Sequence, residues 1–443
     1  MLSSPSLSLA HRGRDQAVDL VRAMCVVAVV VLHSLMVGVS IDAQGPVFAN
    51  AGDTGWWLIP VSWMLQVMPL FFMIGGFAGY TAYQRMQARG GTGRAFVTGR
   101  LVRLLLPATA VIATAGVGLS VLTIARVPAD FIATAGYRFG QPLWFLAVFL
   151  LAQALIPVLA RAHRAAPLIT ITALATAAVL VDIARAVSGV DAIGFFNLAF
   201  VWLTMQQLGF LLADGRVDAL SRQTRMRVGA AAVIALAIFF VTGIYSPDLI
   251  ANTNPPTTAL LLVGIAHTSA FSLLREPLTA LASGRLARFT AFIAQRAMTI
   301  YLWHMTVLLV LAGGAAMLAI GGVLDLPAPV SPMWWLGRPT WLALALGLTA
   351  LISIPLARLE TIRAPRATPR TGRVVAATVL GAAAVAVLLV LGTTPSTVLV
   401  VLAMLAGALL LGTRLRAPSA RETASGQRVA DLVGVLHGEH QQR

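Results

Sequence analysis

Long unbroken apolar runs, separated by short polar stretches rich in Arg, dominate the chain. The runs do not alternate residue by residue, as half-buried strands would. A helix needs about 20 apolar residues to cross the hydrocarbon layer of a membrane. Twelve stretches reach that length, at roughly 18–40, 57–83, 101–124, 142–160, 167–187, 194–213, 227–246, 257–274, 293–320, 334–357, 374–393 and 395–412. The ninth is long enough to tilt, or to begin as an interfacial segment. Thr393-Thr394-Pro395-Ser396 reads as a tight turn, which predicts a helical hairpin at 374–412. Residues 1–17 are polar, and the first apolar run is too long for a signal peptide and has no small-residue cleavage site. It is expected to stay in the membrane. The polar stretch 413–443 has no apolar periodicity and is expected to be disordered. No soluble domain is expected at either end. No internal repeat is visible, which counts against an inverted-repeat transporter.

Composition narrows the class. Hydrophobic residues make up 58% of the chain and charged residues 11%; soluble domains carry about 25% charged residues. Mean hydropathy is +0.85. A soluble enzyme is excluded, and so is a transmembrane β-barrel, whose strands would alternate. The expected fold is an all-α polytopic bundle of about 12 spans. The net charge is +16, and all 32 basic residues are Arg. These are dispersed between the spans, so they do not point to nucleic acid. With the N-terminus in the cytoplasm, the inner loops hold clusters such as Arg85, Arg89, Arg94, Arg100 and Arg103, whereas the outer loops keep Arg126, Arg138, Arg185 and Arg338. The positive-inside rule then puts both termini in the cytoplasm with an even number of spans. Trp56, Trp57, Trp334 and Trp335 fall at predicted outer helix ends, where an aromatic belt is expected. The single Cys25 excludes a disulfide framework and a Cys-based metal site.

Ionisable groups inside membrane spans are costly and are therefore candidates for function. They are Arg22, His33, Asp182, His267 and His304. Eleven positions separate Arg22 from His33, which is three turns plus about 20°. The two lie on one helix face, about 16 Å apart along the axis. Asp19 stands three residues before Arg22, at ion-pair spacing. An Arg at the rim and an imidazole in depth suit a ligand with a phosphate at one end and a proton to lose at the other. A snorkelling Arg and a His bonded to a neighbouring backbone carbonyl fit the same spacing. Asp182 reads equally as a solvated helix end, His267 as structural, and His163 as a loop residue without a role. No Gly-x-Ser-x-Gly, Walker loop or His-Glu-x-x-His is present, and no metal site is expected.

Several motifs resemble those of the membrane-bound acyltransferase family 3. Asp19-Leu-Val-Arg22 followed by His33 is similar to that family's opening motif. Pro69-Leu-Phe-Phe-Met-Ile-Gly75-Gly-Phe77 resembles its second-span segment, with Gly75 where the family usually has Ser. Arg100-Leu-Val-Arg103, Gln141-Pro-Leu-Trp144-Phe145-Leu146 and Tyr301-Leu-Trp-His304 resemble its later motifs. The resemblance covers about 15–360 and implies an acyltransferase-like membrane domain at 18–360, with the hairpin at 374–412 as an addition.

The resemblance also implies roles. His33 matches the family's proposed catalytic His, a base for an attacking hydroxyl, and Arg22 matches its linked Arg. Arg100 and Arg103 match the pair that engages the acyl donor. They stand one turn apart, and Arg pairs hold phosphates well, although positive-inside topology alone also predicts Arg there. Tyr301 and His304 are expected to orient the acceptor or to stabilise the oxyanion, and Trp144 to line a tunnel; packing roles are the alternatives for all three. The expected activity is O-acyl transfer, acetyl by default, from cytoplasmic acyl-CoA to a hydroxyl of a carbohydrate, lipid-linked sugar or secondary metabolite in a bacterial membrane. Acyl-CoA enters as a substrate, with no tightly bound cofactor. The alternatives are a secondary transporter with an Arg/His proton relay and a membrane scaffold. In the enzyme, His33 and the Arg pair are expected to line one cavity open to the cytoplasm.

Overall fold

The chain, described here from a computed structural model, is seen over residues 15–414 apart from 44, 54, 56, 363 and 364. The tail expected to be disordered lies almost wholly outside these residues, as does Trp56. Among the described residues the helices are α1 (Gln16–Met36), α2 (Leu58–Leu65), α3 (Met68–Ala88), α4 (Gly93–Ile124), α5 (Ala129–Gly140), α6 (Trp144–Ala165), α7 (Pro167–Ser188), α8 (Asn197–Ala213), α9 (Arg222–Val241), α10 (Ala259–Leu281), α11 (Arg285–Gln295), α12 (Ala297–Ile320), α13 (Pro332–Leu356), α14 (Arg358–Thr361), α15 (Thr371–Leu391) and α16 (Pro395–Gly412). Twelve helical stretches among them are long and apolar enough to cross a membrane. The protein is an all-α polytopic membrane bundle.

Several elements depart from the predicted spans. The second span divides into α2 and α3 at Gln66-Val67, and α4 begins earlier, at Gly93. α1 stops at Met36 rather than near residue 40, because Val37 turns to extended backbone. The segment Val37–Asp42, β-branched at alternate positions, forms β1, which pairs antiparallel with β2 (Gly45–Asn50). Apolar residues at 37, 39 and 41 prolong the hydrophobic run although the chain has left the helix. The fourth span is interrupted by a 3₁₀ turn at Gln141–Leu143, where Pro142 offers no amide hydrogen. The ninth divides at Arg296 into α11, whose apolar residues fall on one face, and the spanning helix α12.

Close helix contact sets the core. α3 crosses α8 with backbone against backbone: a Cβ on Gly76 would stand 2.4 Å from the Gln206 carbonyl oxygen, and one on Gly209 would stand 2.1 Å from that of Met73. Small residues at such a crossing are the usual way for membrane helices to gain dispersion contact. Phe72 stacks on Trp202 beside it (4.6 Å between ring centroids), and Tyr80 stacks on Phe210 (4.4 Å). α15 and α16 form the expected hairpin. Gly392 takes φ +78°, and Thr394 caps α16 in a reciprocal box with Thr397, with Pro395 in the first turn. The hairpin packs Val385 and Leu405 against Leu105 and Leu150 of α4 and α6.

Of the tryptophans expected in a belt, Trp57, Trp334 and the exposed Trp335 meet in one cluster. Trp57 and Trp334 are buried and meet Trp335 edge to face. Arg338 lies 4.0 Å over the Trp334 ring and donates to the Val37 carbonyl (3.2 Å), pinning the hairpin to α13. Gly209→Ala is expected to destabilise the protein by about 1–3 kcal/mol through overpacking, while Gly347→Ala, where no atom lies within 4 Å, leaves the thermal melt in detergent unchanged.

Candidate active site

Two cavities enter the bundle from opposite ends. The first opens at the Arg-rich end and has a volume of about 1980 Å³. Eight arginines line it against four carboxylates, Asp15, Asp19, Asp218 and Glu360. Such an excess of cations between low-dielectric walls attracts polyanions. Arg22 donates to Asp19 (3.2 Å), one turn away on α1. Arg100 is half-buried and lies over the Phe96 ring at 4.9 Å, with no ion-pair partner among the described residues. Arg103 is half-exposed and stands 4.0 Å from Glu360. Deeper in, the walls turn aromatic, with Phe71, Phe145, Phe149 and Tyr301.

The second cavity has a volume of about 790 Å³ and lies between α4, α5 and α12 under the β-hairpin. His33 lines this one and not the first. The expectation that His33 and the Arg pair share one cavity is therefore corrected. A septum separates the two. Tyr301 faces the Arg-rich cavity, His304 packs behind it (5.7 Å between centroids), and His33 lies beyond His304 (5.0 Å). α1 and α12 each bring their polar residues to this plane.

Backbone carbonyls fix both imidazoles. His33 Nδ1 lies 2.9 Å from the Val29 carbonyl oxygen and His304 Nδ1 lies 2.5 Å from that of Tyr301. A carbonyl only accepts, so each Nδ1 carries the hydrogen and each Nε2 presents a lone pair. His304 Nε2 is buried without a hydrogen-bond partner among the described residues. The Tyr301 hydroxyl donates to the Pro142 carbonyl, tying α12 to the break between α5 and α6. In this structure backbone carbonyls take up the Tyr301 hydroxyl hydrogen and the His304 Nδ1 hydrogen. Trp144 lines neither cavity; it stacks on Trp202 (6.0 Å) and meets Phe145 at its edge, a packing role.

Other polar residues find structural work. Asp182 is not a solvated helix end. It accepts from Asn197, from the Tyr245 hydroxyl, and from the amide and hydroxyl of Thr258, joining α7 to α8 and to the loop before α10. Burial, and then the bond to Asp182, push the Tyr245 phenol above its usual pKa and keep it a donor. His163 is not a loop residue. It sits buried in the last turn of α6, between Gln207 (2.8 Å) and Asp214 (3.1 Å). His267 lies on α10 away from both cavities.

Two carboxylate centres escaped the sequence reading. Glu360 is buried and accepts from the amide and hydroxyl of Thr299 in the first turn of α12, where the helix dipole favours a negative charge. Arg275 bridges Asp15 and Asp218. The signal was scarcity: an acid within an Arg-rich stretch, as in Arg358-Leu-Glu360, is a partner in waiting. Among the described residues no group of three His, Cys, Asp or Glu is placed to hold a metal.

A family model described as an acyltransferase domain matches residues 15–358, from the cap of α1 to the start of α14. Comparison with curated proteins and with solved structures gives no match. The carbonyl contacts predict that nitrogen-15 NMR of histidine-labelled protein will find His33 and His304 protonated at Nδ1. A protonated, carbonyl-bonded Nε2 on His33 would overturn that arrangement.

Proposed function

The chain belongs to the acyltransferase family that this model describes, and we propose that it is an O-acyltransferase of a bacterial cytoplasmic membrane that draws its acyl group from acyl-CoA, acetyl-CoA by default, on the Arg-rich side. That side is then the cytoplasmic one, with both termini there. The observation that carries the reading is the septum: an electropositive cavity ends at Tyr301, and the lone pair of His33 is reached from the other cavity.

Each part of the donor meets a suitable surface. The phosphates of coenzyme A fit the arginine basin, with unpaired Arg100 as the prime contact, Arg103 beside it and Arg22 further in. The pantetheine arm runs along the aromatic wall toward Tyr301. The acceptor comes from the other cavity, as a hydroxyl of a carbohydrate, a lipid-linked sugar or a secondary metabolite.

The chemistry then follows. With the septum opened by the incoming thioester, His33 Nε2 takes the proton of the hydroxyl as its oxygen attacks the thioester carbonyl. A C–O bond forms, and the tetrahedral intermediate collapses with cleavage of the C–S bond. The sulfur leaves with the electron pair and recovers a proton as the coenzyme A thiol. The His33 imidazolium gives that thiolate the proton it took from the hydroxyl and is restored as a neutral base. Arg22 and Asp19 hold one another on the same face of α1 and set the depth of the guanidinium.

Thiol release from acetyl-CoA by the purified protein in nanodiscs tests the reading. His33→Ala is expected to lower release about a hundredfold or more with donor binding retained. Arg100→Gln combined with Arg103→Gln is expected to raise the KM for acetyl-CoA about tenfold with kcat little changed. Release that is indifferent to His33 sinks the assignment of the base.

A further inference from the structure

The His33 cavity is unlike a site for a soluble sugar. Its walls are apolar, formed by residues such as Leu119, Phe131, Phe139 and Leu309. Several of its lining residues, Val121, Val310, Met317 and Ile320, are also exposed on the outside of the bundle. They belong to the outer halves of the spanning helices α4 and α12, so the cavity opens sideways, between those helices, toward lipid. A polysaccharide or a free sugar has no surface to match such walls.

The polar groups in the cavity are few. Arg138 is the one guanidinium in the lining; it is half-buried, lies 5.8 Å from the Tyr137 ring, and has no ion-pair partner among the described residues. An unpaired cation in an apolar wall calls for an anion. Thr306 also lines the cavity, and its hydroxyl is buried without a hydrogen-bond partner among the described residues. Beside these lies His33, the base for a hydroxyl.

We propose that the acceptor is a membrane-dissolved anionic lipid, a phosphate-bearing headgroup with a free hydroxyl on an apolar chain, which enters sideways from the bilayer between α4 and α12. The proposal rests on the reading of His33 as the base. The apolar chain lies along the walls, the phosphate meets Arg138, and the headgroup hydroxyl reaches His33, with Thr306 free to bond a second headgroup oxygen. Two sources share this chemistry, a polyprenyl phosphate carrying a sugar and a phosphoglycerolipid.

Two glycines provide the test. Gly118 and Gly313 line the cavity from α4 and α12, and a Cβ on either meets no atom within 4 Å. Gly118→Leu combined with Gly313→Leu adds bulk to the cavity from two helical sites that have room for a Cβ, and a thermal melt checks that the variant is folded. The full chain is placed in phosphatidylcholine nanodiscs. Retention of polyprenyl phosphoryl glucose, phosphatidylglycerol and a neutral polyprenol is read by native mass spectrometry, alongside acetyl-CoA binding and thiol release.

The wild type is expected to retain an anionic probe. The filled variant should retain it about tenfold less, with acetyl-CoA binding unchanged. Arg138→Gln should weaken the anionic probes about tenfold, the worth of one charge-assisted hydrogen bond, and leave the neutral polyprenol unaffected. Acylation of the sugar lipid or of phosphatidylglycerol identifies the source. Equal retention by the wild type and the filled variant overturns the proposal, as does acylation of free glucose at a rate the filled variant does not alter. Retention that depends on the cavity, without thiol release in any variant, upholds the lipid site and brings down the catalytic reading instead.

Discussion

A polar group that enters hydrocarbon must find its partner within the protein, because no water is there to supply one. That constraint organises this molecule. Asp182 gathers four donors at one end of the bundle, Glu360 gathers a backbone amide and a hydroxyl at the other, and His163 is held on both nitrogens. Other polar atoms are left over in several parts of the bundle, and among them His304 and Thr306 bear on the cavities, as do Arg100 and Arg138, which have no ion-pair partner among the described residues.

The frame of the fold was legible because span length and Arg distribution are properties of single segments. The hairpin at 37–50 was not, since Val37, Val39 and Ile41 prolong an apolar run whichever conformation they adopt. The pair Asp19 and Arg22 could be read from spacing along one helix. The partners of His163 could not, because Gln207 and Asp214 come from another part of the chain. Arg100 and Arg103 were visible as a pair, yet their unequal surroundings, one unpaired over a phenyl ring and one facing Glu360, come from the approach of α14.

The septum is the part that sequence motifs could not convey. They placed Arg22 and His33 on one helix face, and a single cavity followed naturally. The break at Pro142 changes the picture: it lets Tyr301 close the Arg-rich cavity with its ring, and His304 fills the space behind it. Family membership displaces the transporter alternative, yet a transporter-like feature survives, in that the two sides of the membrane reach one plane without meeting. Trp144, which the motif brought forward, supports that plane from outside through Trp202 and Phe145.

The septum has an electrical consequence. In the proposed reaction the acyl group moves outward while the hydroxyl proton moves inward to the thiol, and the charged coenzyme stays on one side. An acylium equivalent is exchanged for a proton, so no net charge crosses. A membrane potential does work of about 2.3 kcal/mol per elementary charge per 100 mV; on this exchange it does none. The equilibrium of the transfer is therefore the same in an energised membrane and in a depolarised one.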